Sequence, residues 1–290
     1  MRRATMRKAF GVAVGLLALS SLVAAAGGLP SYTQPNAKAD PAQGVARKLT
    51  ARDVTERLFK ATGETRPDLH GLDLSQLDLA DLDFKRAHLD GSDLYGAEMS
   101  RANLVGSSLV GARLDRATIT ATDFSGADMT DARIIRPTVF TSLSVATAEA
   151  PKFVGAKLVR FRSDGWLDRA DFTDADLTGA ILGRSATREP SVNAPASLSS
   201  ANFTRAILRD AKLSGTSLKH ARFVDADLTG ANLRGSDLVK ADFTGATIAG
   251  ADFTGANLEE ADLRGVKGLD QAIGLTTAAN FNTARRGPIP

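Results

Sequence analysis

An apolar side chain returns every five positions along most of this chain, and neither a helix nor a strand has that period. From Leu69 the series runs through Leu74, Leu79, Phe84, Leu89, Leu94, Met99, Leu104, Leu109, Leu114, Ile119, Phe124, Met129, Ile134 and Val139. A second series from Leu198 to Leu263 keeps the same step through Phe203, Phe223, Phe243 and Phe253. An α-helix would smear these positions around its surface, and a strand would throw alternate ones to opposite faces. The spacing requires a backbone that turns a corner every five residues and aims the same positions inward each time. Four such corners close a square coil of about 20 residues.

The positions between support this reading. Two residues before most apolar positions sits something small, such as Ala87, Ser92, Ala97, Ala102 or Ala112. A narrow tube has no room for two large side chains per corner. Gly91, Gly126, Gly230, Gly245 and Gly255 precede the small residue, where a tight corner needs them. Phe203, Phe223 and Phe243 are one coil apart, so their rings should form a column at the inter-strand spacing of about 4.8 Å.

These Ala-(Asp/Asn)-(Leu/Phe)-x-x units resemble the pentapeptide-repeat family. The resemblance covers about residues 69–263, with an extra coil to about 281, in some thirty-five copies. It implies an all-β fold: a right-handed quadrilateral parallel β-helix, a solenoid of about nine coils and roughly 40 Å. The repeat domain is assigned to 64–284 and a tail to 285–290. Leu72, Leu77 and Leu82 fill the small position of the first copies, which implies a wider first coil or one opened to receive a lid.

Register fails three times. Val139 to Phe153, Leu158 to Leu167 and Leu182 to Leu198 each miss a multiple of five by one. Irregular insertions are therefore expected near 140–152 and 183–197. Loops on a rigid scaffold are where recognition concentrates, so Trp166, Arg184, Arg188 and Glu189 are the candidate partner-binding residues. Trp166 precedes the inward Leu167 and should point outward. It is either an exposed anchor or is covered by 183–197, since twenty residues on from it is position 186; covering is the favoured expectation.

Upstream of the repeats, residues 1–26 read as a signal peptide. Arg2, Arg3, Arg7 and Lys8 precede an uncharged run that ends at Ala24-Ala25-Ala26. An uncleaved membrane anchor is the alternative, and Arg2-Arg3 hints weakly at twin-arginine export. Cleavage leaves 32 Lys and Arg against 33 Asp and Glu, so the apparent basicity belongs to the leader, and nucleic-acid binding loses its support. Residues 27–48, with three prolines, read as a linker. Residues 49–63 read as a capping helix from Ala51 to about Ala61. Thr50 and Asp53 form a capping box, Leu49 and Val54 a hydrophobic staple, and Gly63 a stop.

Catalytic chemistry finds no foothold. There is no cysteine. His70, His88 and His220 show no ligand spacing, and no nucleophile or phosphate-loop motif occurs. Asp68, Asp73, Asp78, Asp81 and Asp83 are either a weak Ca²⁺ site or, as favoured, outward groups that solvate the surface. Asn202-Phe203-Thr204 matches a glycosylation sequon but is also an ordinary repeat. No catalytic residue, metal or cofactor is expected. The expected function is an exported, non-catalytic scaffold for another protein or an envelope component, with a homodimer through residues 264–284 as one assembly. The alternative, implied by the resemblance, is a DNA-mimicking binder of a type II topoisomerase (gyrase); residues 64–139 carry 13 acidic against 8 basic residues.

Overall fold

The computed structural model describes residues 49–62, 65–139, 147–183 and 196–288. The expected signal segment and linker lie outside these residues. Residues 47–290 form one compact unit. No helix among the described residues is long and apolar enough to cross a membrane.

The chain winds through stacked coils joined by a parallel ladder. Asp68, Asp73, Asp78 and Asp83 pair with His88, Asp93, Glu98 and Asn103, which pair in turn with Ser108, Arg113, Thr118 and Asp123. Each coil thus has four sides of five residues, and residues 20 apart stack. We number the sides from these four outward residues, or rungs. Along each rung the backbone bonds are shared upward and downward: Ser108 N–H donates to Ala87 O at 3.0 Å, and Leu89 N–H donates to Ser108 O at 2.7 Å. The corners close by an i to i+3 bond, as from Ala97 N–H to Leu94 O at 3.1 Å, with Gly96 at φ +63°. Arg101, Arg116 and Asp131 hold the same left-handed conformation elsewhere, so the ladder imposes it on residues that ordinarily avoid it.

The apolar series and the small residues two positions before it fill the interior, nearly all fully buried. The fourth side stacks Phe124, Phe153, Phe172, Phe203, Phe223 and Phe243 with ring centroids 4.8–5.1 Å apart and planes within 11°.

The register breaks are absorbed locally. In the fourth coil Asp123 pairs with Lys152, 29 positions on, so nine extra residues leave the ladder between Thr138 and Lys152. In the sixth, Asp171 pairs with Asn202, 31 positions on, so eleven leave it between Ile181 and Ser197. The lost residue of the fifth coil lies between Arg162 and Trp166. There strand β2 (Arg162–Ser163) lies between β1 (Arg133–Ile134) and β3 (Ile181–Leu182). Phe161 takes the small position and Ser163 the large one, both buried, so the two volumes are exchanged.

The ends differ from the middle. Helix α1, Ala51–Lys60, carries the Thr50–Asp53 capping box and buries Val54 and Leu58 on the first coil. Leu49, Leu72, Leu77 and Leu82 are partly buried and pack against the core cluster that includes Val54 and Leu58. Lys85 Nζ donates to Leu58 O at 2.9 Å, and Arg57 Nη1 to Asp68 O at 3.3 Å. At the other end, where the sequence suggested no covering helix, Lys267, Ile273, Ala279 and Arg285 are six residues apart. Each wider side holds a 3₁₀ turn: Leu269–Gln271, Leu275–Thr277 and Phe281–Thr283. Left-handed Gly268, Gly274 and Asn280 start them.

Candidate recognition surface

The candidate surface lies on the fourth to sixth coils, where both insertions meet the third side. One leaves the ladder just after Thr138, and the other rejoins it just before Ser197. Trp166 stands between them as the third-side rung of the fifth coil and pairs with Ser197. Gly165 sets its height: a Cβ there would lie 2.3 Å from Pro137 Cδ, so only glycine allows the fifth coil to settle this closely on the fourth.

Trp166 is 59% exposed, against the expectation that residues 183–197 cover it. The reason is positional. Trp166 occupies an outward rung, and its neighbour in the next coil is Ser197, 31 positions on, rather than position 186. Arg184, Arg188 and Glu189 lie outside the described residues.

Beside Trp166 runs a polar network. Asp168 accepts from Ser197 Oγ and, at 2.8 Å, from Ser199 N–H. Ser199 Oγ is 3.0 Å from Ser197 Oγ and 2.9 Å from Ser217 Oγ, which links three coils through hydroxyls. Around the next corner, a cleft of about 430 Å³ is lined by Ala150, Pro151, Lys152, Arg169, Asp171, Ser200 and Asn202. Asn202 Nδ2 bonds Thr173 Oγ1 at 2.8 Å and Asp171 at 3.2 Å, so one wall of this cleft is already satisfied internally.

Several charges on the other sides are paired. Asp93, Arg113 and Arg133 stack as a column on the second side. Asp115, 7% exposed at its side chain, accepts from both Arg113 and Arg133, and Arg113 also lies 4.6 Å over the Tyr95 ring. Arg160 forks onto Asp131, and that hydrogen bond holds the Asp131 carboxyl below the usual range. Burial pushes the Asp128 carboxyl up, but the Thr130 hydroxyl and amide with Lys157 outweigh it and leave the carboxyl lowered.

The acidic run of the first coil does not converge. Asp68, Asp73, Asp78 and Asp83 stand on four different sides, and each accepts from the N–H two residues on, at 2.9–3.2 Å. No group of three His, Asp or Glu able to hold a metal occurs among the described residues. The rung aspartates thus brace the corners, a role sequence reasoning missed although Asp-(Leu/Phe)-Thr recurs. It also missed that His70 and His88 stack at 5.3 Å, with His88 Nε2 2.7 Å from Asp90.

A family model for pentapeptide repeats matches in eight copies, over residues 68–104, 97–134, 196–235 and 226–265. No curated protein matches the chain. Among solved structures, one similar chain is HetL, a pentapeptide repeat protein involved in heterocyst differentiation regulation from the cyanobacterium Nostoc sp. strain PCC 7120. It is 20% identical over 82% of this chain and 94% of its own, with a TM-score of 0.32. QnrB1, a plasmid-mediated fluoroquinolone resistance protein, is 17% identical over 71% of this chain and 84% of its own, at 0.30. A thylakoid-lumen pentapeptide repeat protein of Arabidopsis thaliana is 23% identical over 45% and 76%, at 0.24. With five-residue sides, twenty-residue stacking and a repeat model matched on both flanks of the irregular middle, the chain belongs to the pentapeptide-repeat family.

Proposed function

We propose that this protein is an exported, non-catalytic scaffold, wound right-handed as the family resemblance implies, that presents a recognition surface on its fourth to sixth coils. One observation carries the reading. The neighbouring coils keep the five-residue step, whereas the ladder is interrupted after Thr138 and before Ser197, both on the side that exposes Trp166. An outward aromatic on a rigid frame is a suitable anchor for a partner. Export rests on the charged start, apolar run and Ala-x-Ala site of residues 1–26.

Full-length tagged protein, expressed in a bacterial host and fractionated, tests the export reading. The product should be periplasmic and about 2.7 kDa lighter than the full chain, at roughly 0.11 kDa per residue removed. Full-length protein confined to the cytosol would overturn it. A homodimer through residues 264–284 is checked by the solution mass of the same preparation.

The gyrase-binding reading has one observation in its favour, the excess of acid over residues 64–139. Much of that charge is already engaged, with Asp81 paired to Arg101 and Asp115 to two arginines. A supercoiling assay decides: no inhibition at micromolar protein removes this reading.

A further inference from the structure

The third side differs from the other three in charge. Its outward residues in the third to seventh coils carry no charge: Thr118 pairs with Thr138, Trp166 with Ser197 and Ser197 with Ser217, while the fourth and fifth coils meet on this side where Gly165 packs on Pro137. Over the same coils the first side carries Asp128, Lys157 and Asp176, and the fourth carries Asp123, Lys152, Asp171 and Arg222. The second carries Arg113, Arg133, Arg162 and Lys212. Charged rungs resume on the third side at Glu98 below and Asp237 above. The uncharged run is therefore bounded, and the chain's one tryptophan stands at its centre.

We propose that this strip binds a neutral, extended polysaccharide of β-linked pyranoses, lying along the stack with one ring seated on Trp166. Charge complementarity selects the occupant. The outward residues of the strip are hydroxyls and an indole, and the nearest carboxylate, Asp168, already accepts from Ser197 and Ser199, so the strip suits a neutral, hydroxyl-rich chain better than a polyanion. The flat C–H face of a pyranose matches an exposed indole, which offers an apolar face and a polar edge. The hydroxyl rungs are pre-oriented: Asp168, Ser197, Ser199 and Ser217 hold one another, so binding freezes few rotors. The coils from Trp166 to Ser197 and Ser217 advance about 4.8 Å per rung, close to the rise per sugar of such a chain, so successive sugars meet these successive rungs. The inference stands apart from export: it concerns the surface, wherever the protein resides.

Intrinsic fluorescence of the full-length chain tests it, because Trp166 is the sole tryptophan and the emission reports this site alone. Cellohexaose and chitohexaose are titrated as neutral probes, with heparin as the anionic one. At least one neutral hexaose should shift the emission saturably, with Kd below about 1 mM, and heparin should not. Thr138→Asp places a charge on the rung below Trp166, using the residue commonest at rungs, and should weaken binding at least about tenfold. Thr247→Asp, on the first side, should leave it unchanged. Trp166→Ala should abolish retention on insoluble cellulose or chitin while circular dichroism stays that of the parent. Silence toward both neutral hexaoses overturns the proposal. So does a response to heparin alone, a Thr138→Asp variant that binds as the parent does, or an emission shift produced only by a purified protein partner.

Discussion

Phe223→Ala is the substitution on which the packing account commits itself most heavily. Phe223 is fully buried, with Phe203 5.0 Å below and Phe243 4.8 Å above, the three rings nearly parallel. Removing the ring forfeits its transfer energy and leaves a gap that the stacked coils cannot close, because their separation is set by the backbone ladder. Phe→Ala in such a site costs about 3–5 kcal/mol, of which each ring contact supplies about 0.5–1.5. In a solenoid the loss falls on both interfaces of one coil, since coils contact only their neighbours. Phe223→Leu should cost about 1–2 kcal/mol, because Leu104 already holds the equivalent place between Phe84 and Phe124. Asp237→Ala, on the outside of the next coil, loses a half-exposed pair with Lys219 and should stay within about 1 kcal/mol. Urea unfolding followed by far-ultraviolet circular dichroism ranks the three. If Phe223→Ala and Asp237→Ala shift the midpoint equally, the assignment of inward and outward positions is refuted.

Three further outcomes follow from the same geometry. Gly268→Ala should destabilise by about 1–3 kcal/mol more than Gly255→Ala. Both sites are left-handed, but a Cβ at 268 lies 2.8 Å from the Ala249 backbone while one at 255 meets nothing, and thermal unfolding of the two variants measures the gap. Leu58→Ala should loosen the lid, so that hydrogen exchange quickens in the first coil while the Phe203–Phe243 coils keep their protection; uniform loss of protection would contradict nearest-neighbour coupling. Acid should also weaken the fold through carboxyls such as Asp227. Burial raises its value, but Thr229 and Arg209 more than offset this and hold it low. A lowered carboxyl contributes stability that is complete above the unfolded value of about 3.9 and is lost as pH falls through the folded value. Urea midpoints should therefore hold steady from pH 7 to about 4 and drop below it, less steeply in Asp227→Asn.

Much of the architecture was legible because the five-residue step has one geometric solution. The position of Phe223 in a column, the small residues beside it and the sites of both insertions all follow from counting. The capping box at Thr50 and Asp53 was legible for a local reason: it needs only residues three apart. What escaped depended on compensation between neighbours. A missing residue before Trp166 looked like lost register, whereas Phe161 and Ser163 exchange volumes and keep the core filled. The last coil escaped because its period changes to six, although Gly268, Gly274 and Asn280, each followed by an apolar residue, mark it. The surface around Trp166 was legible only in part: its outward direction follows from the repeat, but its neighbour Ser197 depends on how many residues the insertion removes from the ladder.

The account stands on the ladder register, and engineered disulfides in this cysteine-free chain read it directly. Rungs in register lie at about the inter-strand spacing of 4.8 Å, within the Cα separation of about 4.4–6.8 Å that a disulfide needs. On oxidation, the pair Ser217→Cys with Asp237→Cys should form an intramolecular bond, seen by mass spectrometry of the digest. The pair Asp171→Cys with Asn202→Cys should do the same despite 31 residues of separation. Ser217→Cys with Arg222→Cys, on adjacent sides of one coil, should stay reduced. A bond between 217 and 222, or none between 171 and 202, would contradict the four-sided coil and the course of the chain past Trp166.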